Sequence, residues 1–169
     1  MTKFRTLDDL GDLTGKVVLV RVDLNLPMDG VRVTDDTRVR ASAPTILELA
    51  GKGAKVLLLA HFGGPKGEKV STMSVSMTLD AVRAVLGREV MFVPEIAGDV
   101  VKQSLAILRP GDIALLENTR FWKGEEANDP DLAKAIAANA DIYVNDAFSA
   151  AHRAHVSTEG LAHLLPAYA

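Results

Sequence analysis

Five short apolar runs punctuate the chain, at residues 16–22, 55–60, 89–93, 112–116 and 141–144. Most are rich in Val, Ile and Leu and lack polar alternation, the pattern of strands buried on both faces. Between them the apolar spacing turns helical. Residues 37–50 repeat Val39, Ala43, Ile46, Leu47 and Ala50, and residues 75–86 repeat Met77, Val82, Val85 and Leu86. Residues 98–108 place Val100, Val101, Leu105 and Leu108 on one side. A short fourth helix is predicted over 131–138, opened by Asp129-Pro130. Buried strands alternating with helices predict an α/β fold. Its parallel sheet should have about five or six strands, helices on both faces and right-handed crossovers.

Helix ends are marked locally. Asp35 and Asp36 can cap the helix that begins near Thr37, and Gly51 and Gly53 stop it before the second strand. Pro44 conflicts with that periodic segment, so either the helix kinks there or its first turn is irregular. With no internal repeat, low-complexity tract or linker, the 169 residues read as one domain.

Composition narrows the function classes. Lys plus Arg number 19 and Asp plus Glu 22, a net charge of −3. That balance argues against nucleic acid or an anionic membrane as the main partner, though it leaves room for a local basic pocket. There is no cysteine, which removes disulfides, thiolate catalysis and Cys-ligated metals. The charged first twelve residues do not form a signal peptide, and no apolar run approaches the length of a membrane span. The expected setting is the cytoplasm.

In an open parallel sheet, ligands bind outside the carboxyl ends of the strands. The residues leaving those ends are polar or basic. The first strand leads into Asp23 and Asn25, the second into His61-Phe62-Gly63-Gly64-Pro65-Lys66-Gly67, and the fourth into Asn118-Thr119-Arg120-Phe121. The fifth leads into Asp146 and then His152, Arg153 and His155, and Arg38 opens the first helix. Arg38, Arg120, Arg153 and His61 supply positive charge, and Arg suits bidentate contact with phosphate or carboxylate. Asp23 and Asn25 add acceptors for a hydroxyl. Such a pocket fits a small, multiply anionic, hydroxylated molecule. The competing reading is that each of these side chains is solvated or locally paired.

Other motifs point away from alternatives. The Gly63–Gly67 run lacks the Gly-Lys-Ser/Thr ending of a P-loop. The turn after the first strand reads Asp23-Leu24-Asn25-Leu26-Pro27, not the glycine fingerprint of a dinucleotide site. His152, His155 and His163 have only Glu159 at useful spacing, so packing and local hydrogen bonding are their expected roles, and no metal site is expected. Phe121 and Trp122, beside Glu125 and Glu126, read as a loop anchor.

Residues 21–27, 34–45, 61–67 in part, 115–121 and 145–158 together resemble phosphoglycerate kinase, in that family's order and spacing and over essentially the whole chain. The resemblance implies a Rossmann-like three-layer lobe, here 1–169, that binds 3-phosphoglycerate or 1,3-bisphosphoglycerate. Asp23 and Asn25 would contact the glycerate, and His61, Arg120 and Arg153 the 3-phosphate. Arg38 would reach the carboxyl and the phosphoryl group in transit, the catalytic role. The family's Mg-ATP or Mg-ADP would sit on a C-terminal lobe that has no counterpart in these residues. They would then bind no cofactor themselves and act as a binding half without turnover, and the protein would be monomeric. One departure stands out: Gly64 occupies a position where the family usually has Arg, which removes a guanidinium from the implied phosphate pocket.

Overall fold

The computed structural model describes Leu7, residues 10–146 and residues 155–168. Its main sheet has six strands, all paired in parallel: β1 (Val17–Arg21), β4 (Lys55–Leu59), β5 (Met91–Val93), β6 (Ile113–Leu116), β7 (Ile142–Asn145) and β8 (Ala167–Tyr168). Their spatial order is β5-β6-β4-β1-β7-β8. The five predicted strands are present within two residues of their expected ends, and β8 is the sixth. A two-stranded antiparallel hairpin, β2 (Met28–Asp29) and β3 (Arg32–Val33), stands outside this sheet and was not foreseen.

The absence of alternation in the strands has the expected cause. Val18, Val20, Val56, Leu58, Ile113, Leu115 and Val144 face one core, shared with Val39, Ile46 and Leu49 of α1 (Thr37–Gly51) and Val82 and Leu86 of α2 (Leu79–Leu86). Leu19, Leu57, Leu59, Ala114, Leu116 and Tyr143 face the other. There they meet Val101 of α3 (Asp99–Ile107), Ala133 and Ile136 of α4 (Pro130–Ala137) and Leu161 of α5 (Leu161–Leu164). Successive strand residues point to opposite faces, so covering both faces demands continuous apolar sequence. The result is a three-layer α/β domain.

The helix boundaries carry three refinements. At the start of α1 it is Asp35 whose carboxylate accepts from the Thr37 backbone N–H, at 2.9 Å, while Asp36 pairs with Arg40 one turn on, at 2.8 Å. Pro44 lies inside an unbroken α1. Gly51 is the last helical residue, and it is Gly53, at φ +91°, that turns the chain into β4; a Cβ there would come within 2.8 Å of the Thr14 backbone. The segment expected as one helix over 75–86 begins instead as a 3-10 turn, Val75–Thr78, before α2. Ser74 accepts there from the Ser76 N–H at 3.2 Å, and the Val75 N–H donates to Glu117 at 3.1 Å.

Two buried polar residues at the end of β6 hold the surrounding loops. Glu117 accepts from the Ser74 hydroxyl at 2.8 Å and from its neighbour Asn118's N–H at 2.8 Å. Asn118, fully buried, donates its amide to the carbonyls of Phe62 (2.6 Å) and Met73 (2.8 Å) and accepts from the Arg120 N–H (3.0 Å). Two segments distant in sequence, at Phe62 and Met73, thus converge on one side chain. Asn118→Ala strands two buried carbonyls, and about 2–4 kcal/mol of stability should be lost, read as a lower denaturant midpoint.

Asp146 follows β7 and accepts side-chain hydrogen bonds from Ser42 and Thr45 of α1. Burial nevertheless outweighs these bonds and raises its pKa above the ordinary aspartate value. The folded chain therefore keeps this proton to higher pH than the unfolded chain, and the group's contribution to stability falls as pH rises through that window. In Asp146→Asn the fall disappears. The stability of the variant relative to the parent is expected to climb as pH rises through the window just above the ordinary aspartate range, then level off. A pH-independent difference between the two unfolding curves would count against a raised pKa at this position.

Candidate functional site

The carboxyl edge of the sheet is built as a continuation of its hydrogen-bond ladder. Arg21, at the end of β1, lies in register with Leu59 of β4 and Asn145 of β7. Beyond the strands the pairing carries on: Val22 N–H donates to Leu59 O (3.0 Å), Asp146 N–H to Arg21 O (2.8 Å) and Thr119 N–H to Ala60 O (3.0 Å). The four exit loops therefore leave the sheet side by side, with their first residues fixed.

Two clusters form on this edge. In the first, the Arg38 guanidinium donates to the Asn25 carbonyl at 2.7 Å and to the Asp23 carboxylate at 3.3 Å, and Asp23 also accepts from the Asn25 N–H at 3.1 Å. The Asn25 side-chain oxygen accepts from the Gly63 N–H at 3.0 Å, which joins the loop after β1 to the loop after β4. This leaves the Asn25 amide nitrogen as a donor for a ligand. Arg38 remains 51% exposed, so its charge is available to solvent or ligand as well as to Asp23.

The second cluster is buried. Arg21 retains 1% of its surface, and its Nη1 donates to the carbonyls of Val22 (2.7 Å) and Leu59 (3.3 Å). Its Nη2 lies 2.7 Å from His61 Nδ1. Burial pulls its pKa down; Glu125, Tyr143 and Asp23 push it back up, and the positive field of Arg120 opposes them. Arg120 is itself 12% exposed and stands on a 3-10 turn, Thr119–Phe121, in which the Asn118 side chain accepts from its backbone N–H. Its nearest carboxylate, Glu126, is 3.8 Å away. The Nε groups of Arg21 and Arg120 are both buried without a hydrogen-bond partner among the described residues. Two largely desolvated guanidiniums, mutually repelling, are an arrangement that an anion relieves.

The glycine-rich loop after β4 is shaped by contact with the loop after β6. Gly67, at φ +83°, donates to the Arg120 carbonyl at 2.8 Å, and a Cβ there would meet Lys123 within 3.0 Å of its backbone. Gly64 is different. It is exposed, it faces open space, and its φ suits any residue. Phe121 is buried and its ring centroid lies 6.3 Å from that of Trp122, over which the Lys69 ammonium sits at 5.6 Å, so the pair anchors the loop.

Of the six residues expected at the site, Asp23, Asn25, Arg38, His61 and Arg120 lie along this one edge; Arg153 falls outside the described residues. Among the described residues, no three His, Cys, Asp or Glu side chains gather to hold a metal ion. His163 instead lies 3.6 Å from Glu159 on its own helical stretch. The sequence reading missed Arg21, Glu117 and Asn118. Arg21 did carry a signal, a cation closing the apolar run Val17–Val20 ahead of Val22, since so costly a burial requires dedicated partners. Nothing in the local sequence marks Asn118.

Comparison with known proteins bears on this edge. Residues 7–169 match the family model described as phosphoglycerate kinase. The chain is 66% identical over 166 residues to a phosphoglycerate kinase of Rhizorhabdus wittichii and 64% identical over 166 residues to one of Zymomonas mobilis. Each match covers 98% of this chain and 42% of the relative, so the chain spans less than half the length of these proteins. Among solved structures, phosphoglycerate kinase from Pyrococcus horikoshii superposes with a TM-score of 0.86 at 33% identity, over 98% of this chain and 42% of that one. The Coxiella burnetii enzyme gives 0.85 at 34%, over 98% and 41%. Sequence and fold agree along almost all of these 169 residues: the chain belongs to the phosphoglycerate kinase family.

Proposed function

We propose that this chain is the acid-substrate lobe of a phosphoglycerate kinase. Such an enzyme moves a phosphoryl group between 1,3-bisphosphoglycerate and ADP, giving 3-phosphoglycerate and ATP. The observation that carries the reading is the juxtaposition of a buried cationic cluster, Arg21, His61 and Arg120, with the half-exposed Asp23–Asn25–Arg38 network on the same strand edge. The first offers charge and N–H donors to a phosphate. The second offers a carboxylate and an amide to a hydroxyl, and a guanidinium to a carboxyl group.

In this reading His61, Arg120 and Arg153 hold the 3-phosphate, and Asp23 and Asn25 orient the glycerate. Arg38 neutralises charge on the phosphoryl group as it passes between the substrate's carboxyl oxygen and the terminal phosphate oxygen of ADP. Phosphoryl transfer depends mainly on positioning and charge neutralisation, which is what an exposed guanidinium at the pocket mouth supplies. The magnesium nucleotide is a substrate in this scheme and is assigned to the C-terminal lobe of the longer family members. No carboxylate or histidine cluster among the described residues would hold a metal with a nucleotide. The enzyme is proposed to work as a monomer in the cytoplasm. Among the described residues no helix is long and apolar enough to cross a membrane.

Gly64→Arg should tighten 3-phosphoglycerate binding about tenfold or more, since one charge-assisted hydrogen bond contributes about 1.5–3 kcal/mol. A Cβ added at Gly64 would meet nothing within 4 Å, so a side chain can start there without a clash. Calorimetric titration of the two chains reads the difference, and equal dissociation constants would mean that position 64 does not reach the ligand.

Residues 1–169 alone should bind 3-phosphoglycerate weakly, with affinity falling as salt rises because a partly exposed charged pocket is screened. They should also show no turnover until a nucleotide-binding lobe is supplied, since transfer needs both reactants aligned at near-contact distance. ATP formation from 1,3-bisphosphoglycerate and ADP by the purified chain would overturn the division of labour. Binding that ignored ionic strength would overturn the charge-based pocket.

A further inference from the structure

We propose that Arg21 is a positioning residue that fixes the imidazole of His61 as the neutral Nε2–H tautomer. Its functional meaning rests on the substrate-site reading above. The contact is between Arg21 Nη2 and His61 Nδ1, at 2.7 Å. A guanidinium can only donate. Nδ1 must therefore be the accepting nitrogen, with its lone pair toward Arg21, and the proton of the neutral ring must be on Nε2. A ring carrying both protons would lose the bond and set two positive groups against each other at contact distance. The ring thus resists a second proton for as long as Arg21 stays in place.

Arg21 is well placed to stay. It is buried, and its Nη1 is tied to the carbonyls of Val22 and Leu59, so its other terminal nitrogen has little freedom to turn away. Among the described residues, the titratable and charged groups that act on the guanidinium come from several elements. Glu125, ahead of α4, Tyr143 on β7 and Asp23 after β1 support the guanidinium's charge, and Arg120 after β6 opposes it. In this tautomer the ring of His61 carries its proton on Nε2 and has no formal charge. The pocket's charge then comes from its arginines.

The test is 15N NMR of the histidine side chains in the ligand-free chain, with His61 assigned by comparison with His61→Gln. The parent should show a pyridine-like Nδ1 and a pyrrole-like Nε2 at neutral pH and at about one unit below the usual imidazole midpoint. Arg21→Met should lose this pattern, with the ring passing to mixed tautomers and taking up a second proton on acidification. Arg21→Lys, which keeps a donor on a long stem, should largely retain it. Should Arg21→Met fail to fold, the parent and Lys spectra still decide the matter. A protonated Nδ1 in the parent, or an unchanged His61 pattern in a folded Arg21→Met, would overturn the assignment. The tautomer is read without substrate. A chain with the expected His61 signature that failed to bind 3-phosphoglycerate would count against the substrate-site reading alone.

Discussion

A guanidinium almost wholly removed from water, at the carboxyl end of the central strand, is the constraint to which the rest of the edge conforms. Burying an unpaired cation is prohibitive, so Arg21 must be solvated by the protein itself. The carbonyls of Val22 and Leu59 do part of this, the ring of His61 another part, and the carboxylates of Asp23 and Glu125 act at longer range. Those groups come from the loop after β1, from β4 and the loop after it, and from the segment ahead of α4. None can move independently without exposing the charge to an apolar interior.

The second tier of support is neutral and equally far-reaching. Asn118 has two donors and one acceptor, and each is used on a different partner: Phe62, Met73 and Arg120. Glu117 beside it fastens the 3-10 segment that precedes α2. On the opposite side of the sheet, buried Glu125 accepts from both the N–H and the hydroxyl of Ser157, at 2.7 and 2.6 Å, and so ties the loop after β6 to the helical stretch after β7. Loops at a ligand edge are ordinarily the softest part of an α/β domain. Among the described residues, side chains buried as deeply as the core hold them.

Much of this architecture was legible in the sequence because it rests on local rules. Strands covered on both faces need unbroken apolar runs, and Val17–Arg21, Lys55–Leu59 and Ile113–Leu116 have them. The exit loops could be read for charge because the carboxyl edge of a parallel sheet is fixed by topology. Failures came where a remote partner decides. The start of α2 is set by Ser74 and by Glu117, more than 40 positions away, and no periodicity in 75–86 records that. Asp35 and Asp36 are equivalent as letters, and only the backbone geometry chooses which one caps. Pro44 suggested a kink or an irregular first turn, yet it lies within a continuous helix whose buried face, Val39, Ile46 and Leu49, is packed on the sheet, and tertiary burial outweighs local propensity there. Arg21 was visible as an anomaly, but its role depends on His61, 40 residues on.

The sheet's outline carries a consequence of its own. Its two border strands are its shortest, β5 with three residues and β8 with two. Border strands are where a sheet offers unpaired backbone groups to other chains, and long flat borders invite stacking into fibrils. With so few exposed rungs, a neighbouring chain finds almost nothing to zip onto. The longest strands, five residues each in β1 and β4, lie in the middle, where both sides are already occupied. On the β5 side, a copy of the domain would therefore find only three residues of backbone to pair with.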